Sequence, residues 1–327
     1  MNATCVIAQP IHPIGADLLR QAGVTVLMPQ GPDALREALP QADAIIVRDG
    51  ISAPLIDLAP RLVVIANHGT GTDRIDVAHA AGQGIPVTCT PGANARAVAE
   101  HALTLMLAVS RQVVAADAAT RRGHWGYKYQ QPTLGLHGKT LGIAGFGRTG
   151  RMLCEMASGG LGMRALVWSP SADPRELAAA GVQSVASLEE LLASSDVLSL
   201  HRPLRADTRH MLDARALRRM KPDAIVVNTS RGGLVDETAL ADALAAGRLF
   251  GAGLDVFETE PLPANSRLAA LPNVVLTPHI AGSSQEALYA TASQCARQVL
   301  AALAGREPSD LVRPEVWARR RSSPVFS

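Results

Sequence analysis

Cysteine is scarce in this chain, and what there is lies scattered. Positions 5, 89, 154 and 295 are the four cysteines of 327 residues, with no C-x-x-C pair among them. Neither a zinc site nor a disulfide framework is indicated, so no bound metal is expected. Net charge is also small, at +2, which gives no field strong enough to argue for nucleic acid; Arg319-Arg320-Arg321 reads as a solvated tail. Aromatic residues amount to 3%, and nothing marks a large hydrophobic substrate pocket. The N-terminus lacks a basic segment followed by an apolar core. No uninterrupted apolar stretch reaches membrane length either, since Glu100 and His101 precede the run Leu103 to Val109. The expectation is a cytoplasmic protein without membrane partners. Low-complexity linkers and internal repeats beyond a shared βα pattern are absent as well.

What is present is ordinary for a globular chain large enough for two cores: 47% hydrophobic and 18% charged residues. The first stretch alternates strand and helix patterns: Thr4–Ala8, a helix near Ile14–Ala22, Val24–Leu27, a helix near Pro32–Leu39, Ala44–Val47, Leu62–Ala66, a short helix at Val77–Gly82, and Pro86–Thr88. Glu100–Thr120 then reads as one long amphipathic helix crossing into a second domain, and Gln285–Leu303 as a helix returning to the first. The fold class is α/β, with two doubly wound parallel-sheet domains. Residues 1–98 and 284–327 are assigned to one domain and 99–283 to the other.

Three short apolar runs carry the chemistry. Ala224–Val227 precedes Asn228-Thr229-Ser230-Arg231-Gly232, Ala252–Leu254 precedes Asp255 through Glu260-Pro261, and Val274–Leu276 precedes Thr277-Pro278-His279. In an open α/β sheet, ligands bind beyond the carboxyl ends of the strands, so Arg231, Glu260 and His279 should converge on one crevice. A guanidinium, a carboxylate and an imidazole suit a carboxylate substrate and proton transfer at its neighbouring carbon. Each residue also has a plainer reading: a surface arginine, a turn residue before proline, and one structural histidine among nine.

A dinucleotide fingerprint lies upstream. Lys139–Ala144 reads as a strand, Gly145-Phe146-Gly147-Arg148-Thr149-Gly150 follows it, a helix opens through about Ser158, and a second strand ends at Trp168. The glycines permit a tight turn and close approach of backbone to pyrophosphate, with helix N–H groups for the anion.

In these motifs, together with Gly69 through Asp76 and Asn94 through His101, the chain resembles the D-isomer-specific 2-hydroxyacid dehydrogenases. That group contains glyoxylate/hydroxypyruvate reductase, glycerate dehydrogenase and D-3-phosphoglycerate dehydrogenase. The resemblance implies a Rossmann-like cofactor domain inserted into a flavodoxin-like substrate domain, and hydride transfer between NAD(P)H and C2 of a small 2-oxo acid. Glyoxylate and hydroxypyruvate are favoured. It implies that Arg231 and the N–H groups of Thr70 and Gly71 bind the substrate carboxylate, that His279 is the acid, and that Glu260 favours its protonated ring. Arg48 is expected at the substrate's far end or in an interlobe salt bridge. Asn94 is expected at the cleft rim or as a helix cap. Asp255 resembles the acceptor for the nicotinamide carboxamide, or is an N-cap. Ser169, His201, Arg202, Pro203, Thr208, Thr229, Ser230 and Gly282 complete the expected cofactor contacts. The family's dimer packs through a segment corresponding to Glu100–Tyr129, where Trp125, Tyr127 and Tyr129 cluster.

Two departures matter. Neutral Ser169 stands where an acid normally reads the ribose of NAD, and Arg202 replaces a small apolar residue. NADP is therefore admitted alongside NAD, and slightly favoured. Glu260 argues against formate oxidation, for which the family places Gln there. Phosphite oxidation and a non-enzymatic nucleotide-sensing corepressor stay open.

Overall fold

The structure, a computed structural model, describes residues 3–130 and 133–321. The outermost parts of the first-domain assignment, 1–2 and 322–327, lie outside the described residues, as do 131–132 of the second. The chain divides into two compact units, Met1–Asn94 with Ser283–Ser327, and Ala95–Gly282.

The first unit is built on five parallel strands: β1 (Thr4–Ile7), β2 (Thr25–Leu27), β3 (Ala44–Val47), β4 (Val64–Asn67) and β5 (Val87–Thr88). Their order is β2-β1-β3-β4-β5, the flavodoxin-like arrangement. β3 and β4 are buried throughout, which is why their sequences are continuous apolar runs rather than alternating ones. One face packs on the helices Pro13–Gln21 and Gln285–Leu303, whose N-caps are the side chains of His12 and Ser284. The other face closes over Leu39, Ile56, Leu62 and Ile85.

The second unit carries seven parallel strands: β6 (Thr140–Ala144), β7 (Arg164–Trp168), β8 (Gln183–Ser184), β9 (Val197–Leu200), β10 (Ile225–Asn228), β11 (Gly251–Leu254) and β12 (Val274–Leu276). The order β12-β11-β10-β9-β6-β7-β8 reverses direction at β6, as in a Rossmann sheet. Apolar clusters cover both faces, one including Leu198, Val226 and Leu240, the other Leu105, Leu141 and Ile225.

One expectation is corrected. Glu100–Thr120 is not a single helix: Ala95–Ser110 and Val113–Arg121 meet at a bend of 60°. Gln112 turns left-handed at φ 51, and the Ser110 carbonyl accepts the N–H of Leu134, at 2.8 Å, from the returning chain. Apolar spacing continues past the break, so periodicity does not register it. No single helix among the described residues is long and apolar enough to cross a membrane; that bent pair passes the length and composition test only jointly.

Candidate active site

Parallel pairing sets the geometry. Asn228 is level with Leu254, and Leu254 with Leu276, so β10, β11 and β12 end side by side. The loops bearing Arg231, Glu260 and His279 therefore leave one edge of one sheet. Nδ1 of His279 lies 2.7 Å from Oε2 of Glu260. A carboxylate only accepts, so Nδ1 carries the proton and Nε2 is left for other partners. Glu260 is held in turn: its Oε1 accepts the N–H of Phe257 at 3.0 Å, and its side chain is only 12% exposed, against 44% for His279. Arg231 follows a turn fixed by Asn228, whose amide donates to the Arg231 carbonyl at 2.9 Å and accepts from the Ser230 N–H at 3.0 Å. Gly232 presses against the Phe257–Glu258 peptide so closely that a Cβ would lie 1.8 Å from the Phe257 carbonyl carbon. The Arg231 loop and the Glu260 loop are thus packed backbone to backbone.

Asp255 is fully buried and is not an N-cap. Its carboxylate takes the Thr277 hydroxyl at 2.6 Å and the N–H groups of Ile280 and Ala281 at 2.9 and 2.8 Å. Those donors are backbone and side chain of the loop that displays His279. Oδ2 takes one N–H and keeps acceptor capacity for a further donor.

The fingerprint loop has the shape a pyrophosphate needs. Gly145 sits at φ 103 with its virtual Cβ 2.7 Å from the His201 carbonyl, so any side chain there collides with β9's end. At Gly147, the exposed N-cap of the Arg148–Leu161 helix, a Cβ would meet nothing within 4 Å. That open space fronts the first-turn N–H groups, and Arg148 and Thr149 begin the turn. Phe146 is buried, with the Arg151 guanidinium over its ring at 5.1 Å, and Gly150 packs against the Gly145 carbonyl. A second cue is the Thr229 hydroxyl, buried without a partner. Both features fit a dinucleotide.

Beside this loop a cavity of about 560 Å³ is lined by Trp168, Glu189, Arg202, Asp207, Thr208 and Met211 among others. Arg202 lies over the Trp168 ring at 5.4 Å, its side chain 12% exposed, with Nε buried and unpartnered and Nη2 4.0 Å from Asp207. The Thr208 hydroxyl is committed to its own loop, donating to the Pro203 carbonyl and accepting from the Arg205 N–H. Likewise the Ser230 hydroxyl donates to the Arg202 carbonyl at 2.6 Å. His201 pairs with Ser199 at 2.9 Å, and burial pushes its pKa down to about 4, which keeps the ring neutral. Ser169 is half-buried, and its carbonyl caps the turn to Ala172; Gly282 closes the His279 loop.

In the first unit, Thr70 and Gly71 form an exposed turn after β4, whose carbonyls at Gly69 and Gly71 are tied by Asn67. Arg48 donates to Ser283 at 2.9 Å and to the Pro10 carbonyl at 3.4 Å, partners within its own unit. Asn94, half-buried, directly precedes the Ala95–Ser110 helix. Sequence reading missed Glu189, Thr277, His101 and Gly232. Beside the first, Ser187-x-x-Glu190 marks a helix start: the Ser187 hydroxyl accepts the Glu190 N–H at 3.1 Å, and the Glu190 carboxylate accepts the Ala186 N–H at 3.0 Å.

Comparison with known proteins agrees with this geometry. Residues 103–281 match the family described as D-isomer specific 2-hydroxyacid dehydrogenase, NAD binding domain. The chain is 42% identical over 290 residues to a glyoxylate reductase of Thermococcus litoralis, covering 86% of this chain and 87% of that protein. It is 40% identical over 293 residues to a D-3-phosphoglycerate dehydrogenase of Mycobacterium bovis, spanning 88% of this chain but only 55% of that longer protein. A solved structure of the NADPH-dependent glyoxylate/hydroxypyruvate reductase of Sinorhizobium meliloti, in complex with NADP and malonate, superimposes with a TM-score of 0.85 at 28% identity, covering 98% of this chain and 99% of that one. The chain belongs to the D-isomer specific 2-hydroxyacid dehydrogenase family and carries that family's NAD-binding domain.

Proposed function

We propose that the protein transfers a hydride between NAD(P)H and C2 of a small 2-oxo acid, with glyoxylate or hydroxypyruvate as substrate and the D-2-hydroxy acid as the reduced partner. The observation that carries this is the 2.7 Å His279–Glu260 pair on the strand-end edge that also bears Arg231. Gly145 through Gly150 and the unpartnered Thr229 hydroxyl are the residues that would hold the dinucleotide, and Asp255 keeps acceptor capacity for its carboxamide. The bound nucleotide supplies the hydride. Arg231 grips the substrate carboxylate through its planar fork. As negative charge grows on the C2 oxygen, the imidazolium of His279 donates a proton to it, while Glu260 offsets the ring's positive charge and fixes its tautomer. In the first unit, the exposed N–H groups of Thr70 and Gly71 are assigned to a substrate carboxylate and Arg48 to the substrate's far end.

Either nucleotide is accepted, with a slight preference for NADP. Ser169 brings no charge against a 2′-phosphate, and the NADP-bound relative shares the fold. The preference is small because Glu189 and Asp207 line the same cavity as Arg202. A homodimer is proposed through the exposed Val113, Val114, Trp125 and Tyr129, and a cytoplasmic setting suits the free thiols.

A second reading, a phosphorylated 2-hydroxy acid as substrate, is favoured by the guanidinium of Arg48 and by the D-3-phosphoglycerate dehydrogenase relatives. Initial rates with glyoxylate, hydroxypyruvate, phosphohydroxypyruvate, pyruvate and phosphite, each with both nucleotides, separate these readings. The proposal requires the highest kcat/KM with glyoxylate or hydroxypyruvate. Tight nucleotide binding without turnover of any 2-oxo acid supports a sensor instead.

A further inference from the structure

The backbone at His279 is in a region uncommon for residues other than glycine. At φ 54 it is left-handed, a region that favours glycine, and a ring-bearing side chain stays there only when its surroundings hold it. Three consecutive N–H groups do so: His279 donates to the Asp255 carbonyl at 2.8 Å, and Ile280 and Ala281 donate to the Asp255 carboxylate. That carboxylate is wholly buried, so its own placement depends on every donor it has.

The remaining donor is the Thr277 hydroxyl, 2.6 Å from Oδ1. A hydroxyl has one proton, and here it goes to the carboxylate. Nε2 of His101 lies 2.9 Å from the same Thr277 oxygen and must therefore be the donor to it, which fixes the Nε2–H form of that ring. His101 also approaches Oδ1 of Asp255 at 3.5 Å. It stands on the Ala95–Ser110 helix, which packs against β10, β11 and β12. The donor order is thus His101 to Thr277 to Asp255, and Asp255 grips both sides of the His279 turn.

We propose that His101 is a positioning residue for the proton transfer: through Thr277 and Asp255 it locks the 277–281 loop in the conformation that presents His279. The proposal rests on the reading of His279 as the acid. It explains why a histidine occupies a partly buried site on a helix whose other inward residues are small or apolar, Ala99, Ala102, Leu105 and Met106.

The test is steady-state kinetics of glyoxylate reduction, with dinucleotide affinity measured by fluorescence, for His101→Leu, His101→Gln, Thr277→Val, Thr277→Ser and the His101→Leu/Thr277→Val double variant. Loop misplacement of about 1 Å costs on the order of a hundredfold in turnover, so Thr277→Val and His101→Leu should lose about tenfold or more in kcat. Their KM for glyoxylate should change less than about threefold, because Arg231 is untouched, and dinucleotide affinity should fall by less than kcat, because the fingerprint loop is untouched and Asp255 is assigned only to the carboxamide. Thr277→Ser and His101→Gln retain a donor and should recover most of the loss, and the double variant should be no worse than the poorer single one, since both break one chain of contacts. Normal kcat in His101→Leu or in Thr277→Val, equal damage in Thr277→Ser, or fully additive losses overturn the proposal. Should His101→Leu fail to fold, His101→Phe, which keeps a ring but has no donor, takes its place against His101→Gln. His279→Ala is the reference: near-normal turnover there defeats the acid assignment itself, whereas an inactive His279→Ala beside a normal Thr277→Val defeats only the positioning role.

Discussion

Gly232→Ala is a one-carbon change that should disable the site. The added Cβ would lie 1.8 Å from the Phe257 carbonyl carbon, 2.1 Å from its oxygen and 2.3 Å from the Glu258 nitrogen. Carbon atoms in contact sit about 3.5–4.0 Å apart, so the two loops must separate by roughly 1.5–2 Å. All three obstacles are backbone, with no side chain able to swing aside. Phe257 also donates its N–H to Glu260, which holds His279, so the displacement passes directly to the acid pair while moving Arg231 on the other side. Errors of about 1 Å cost on the order of a hundredfold, which sets the expected minimum loss in kcat/KM. Overpacking costs about 1–3 kcal/mol, and for a unit of this size each kcal/mol lowers Tm by about 2–4 °C. Gly233→Ala is the control: its Cβ would meet the Leu204 methyl groups at 3.1 and 3.2 Å, atoms at the end of a flexible side chain. It should keep activity within several-fold. The assay is glyoxylate-dependent NADPH oxidation together with a thermal scan of each variant. Near-normal activity in Gly232→Ala, or equal damage in Gly233→Ala, would refute the claim that backbone contact couples the two loops.

Two further outcomes are expected. Ser169→Asp should move the ratio of specificity constants towards NADH by about tenfold, equivalent to about 1.4 kcal/mol, through a carboxylate that binds ribose hydroxyls and repels a 2′-phosphate; a wild type already preferring NADH by two orders of magnitude would sink this. Acid should weaken the first unit through His68: burial, aided by the Arg48 charge, depresses its pKa from 6.5 to about 4, so this contribution is fully present above pH 6.5 and is lost as pH falls towards 4. Between pH 7 and 5 that amounts to about 2 kcal/mol, and unfolding curves at both pH values should show a correspondingly smaller acid loss in His68→Leu.

The sheet and the meeting of His279 with Glu260 were legible because each rests on a local rule. Buried parallel strands are apolar throughout, so β3, β6, β10 and β11 stand out in sequence, and a ligand site follows from where such strands end. The strand–glycine–helix order likewise announces the nucleotide loop. What stayed hidden depends on partners distant in sequence. The break at Gln112 is set by Leu134 taking the Ser110 carbonyl, 24 residues on, while the apolar pattern runs through unchanged. The grip of Asp255 on the His279 turn stayed hidden because its donors, Thr277, Ile280 and Ala281, lie on the next strand's loop. Arg202 was noticed as a departure, but its lodging over Trp168 requires β7 and β9 to flank β6.

The central claim is that His279 delivers the proton to a 2-oxo acid as hydride arrives. Single-turnover reduction of glyoxylate by nucleotide-saturated wild type and His279→Ala, with nucleotide Kd measured on the same samples, tests it directly. Loss of the acid should slow the chemical step by on the order of a hundredfold or more while Kd stays within a few-fold. A His279→Ala enzyme that reduces glyoxylate at nearly the wild-type rate would contradict it.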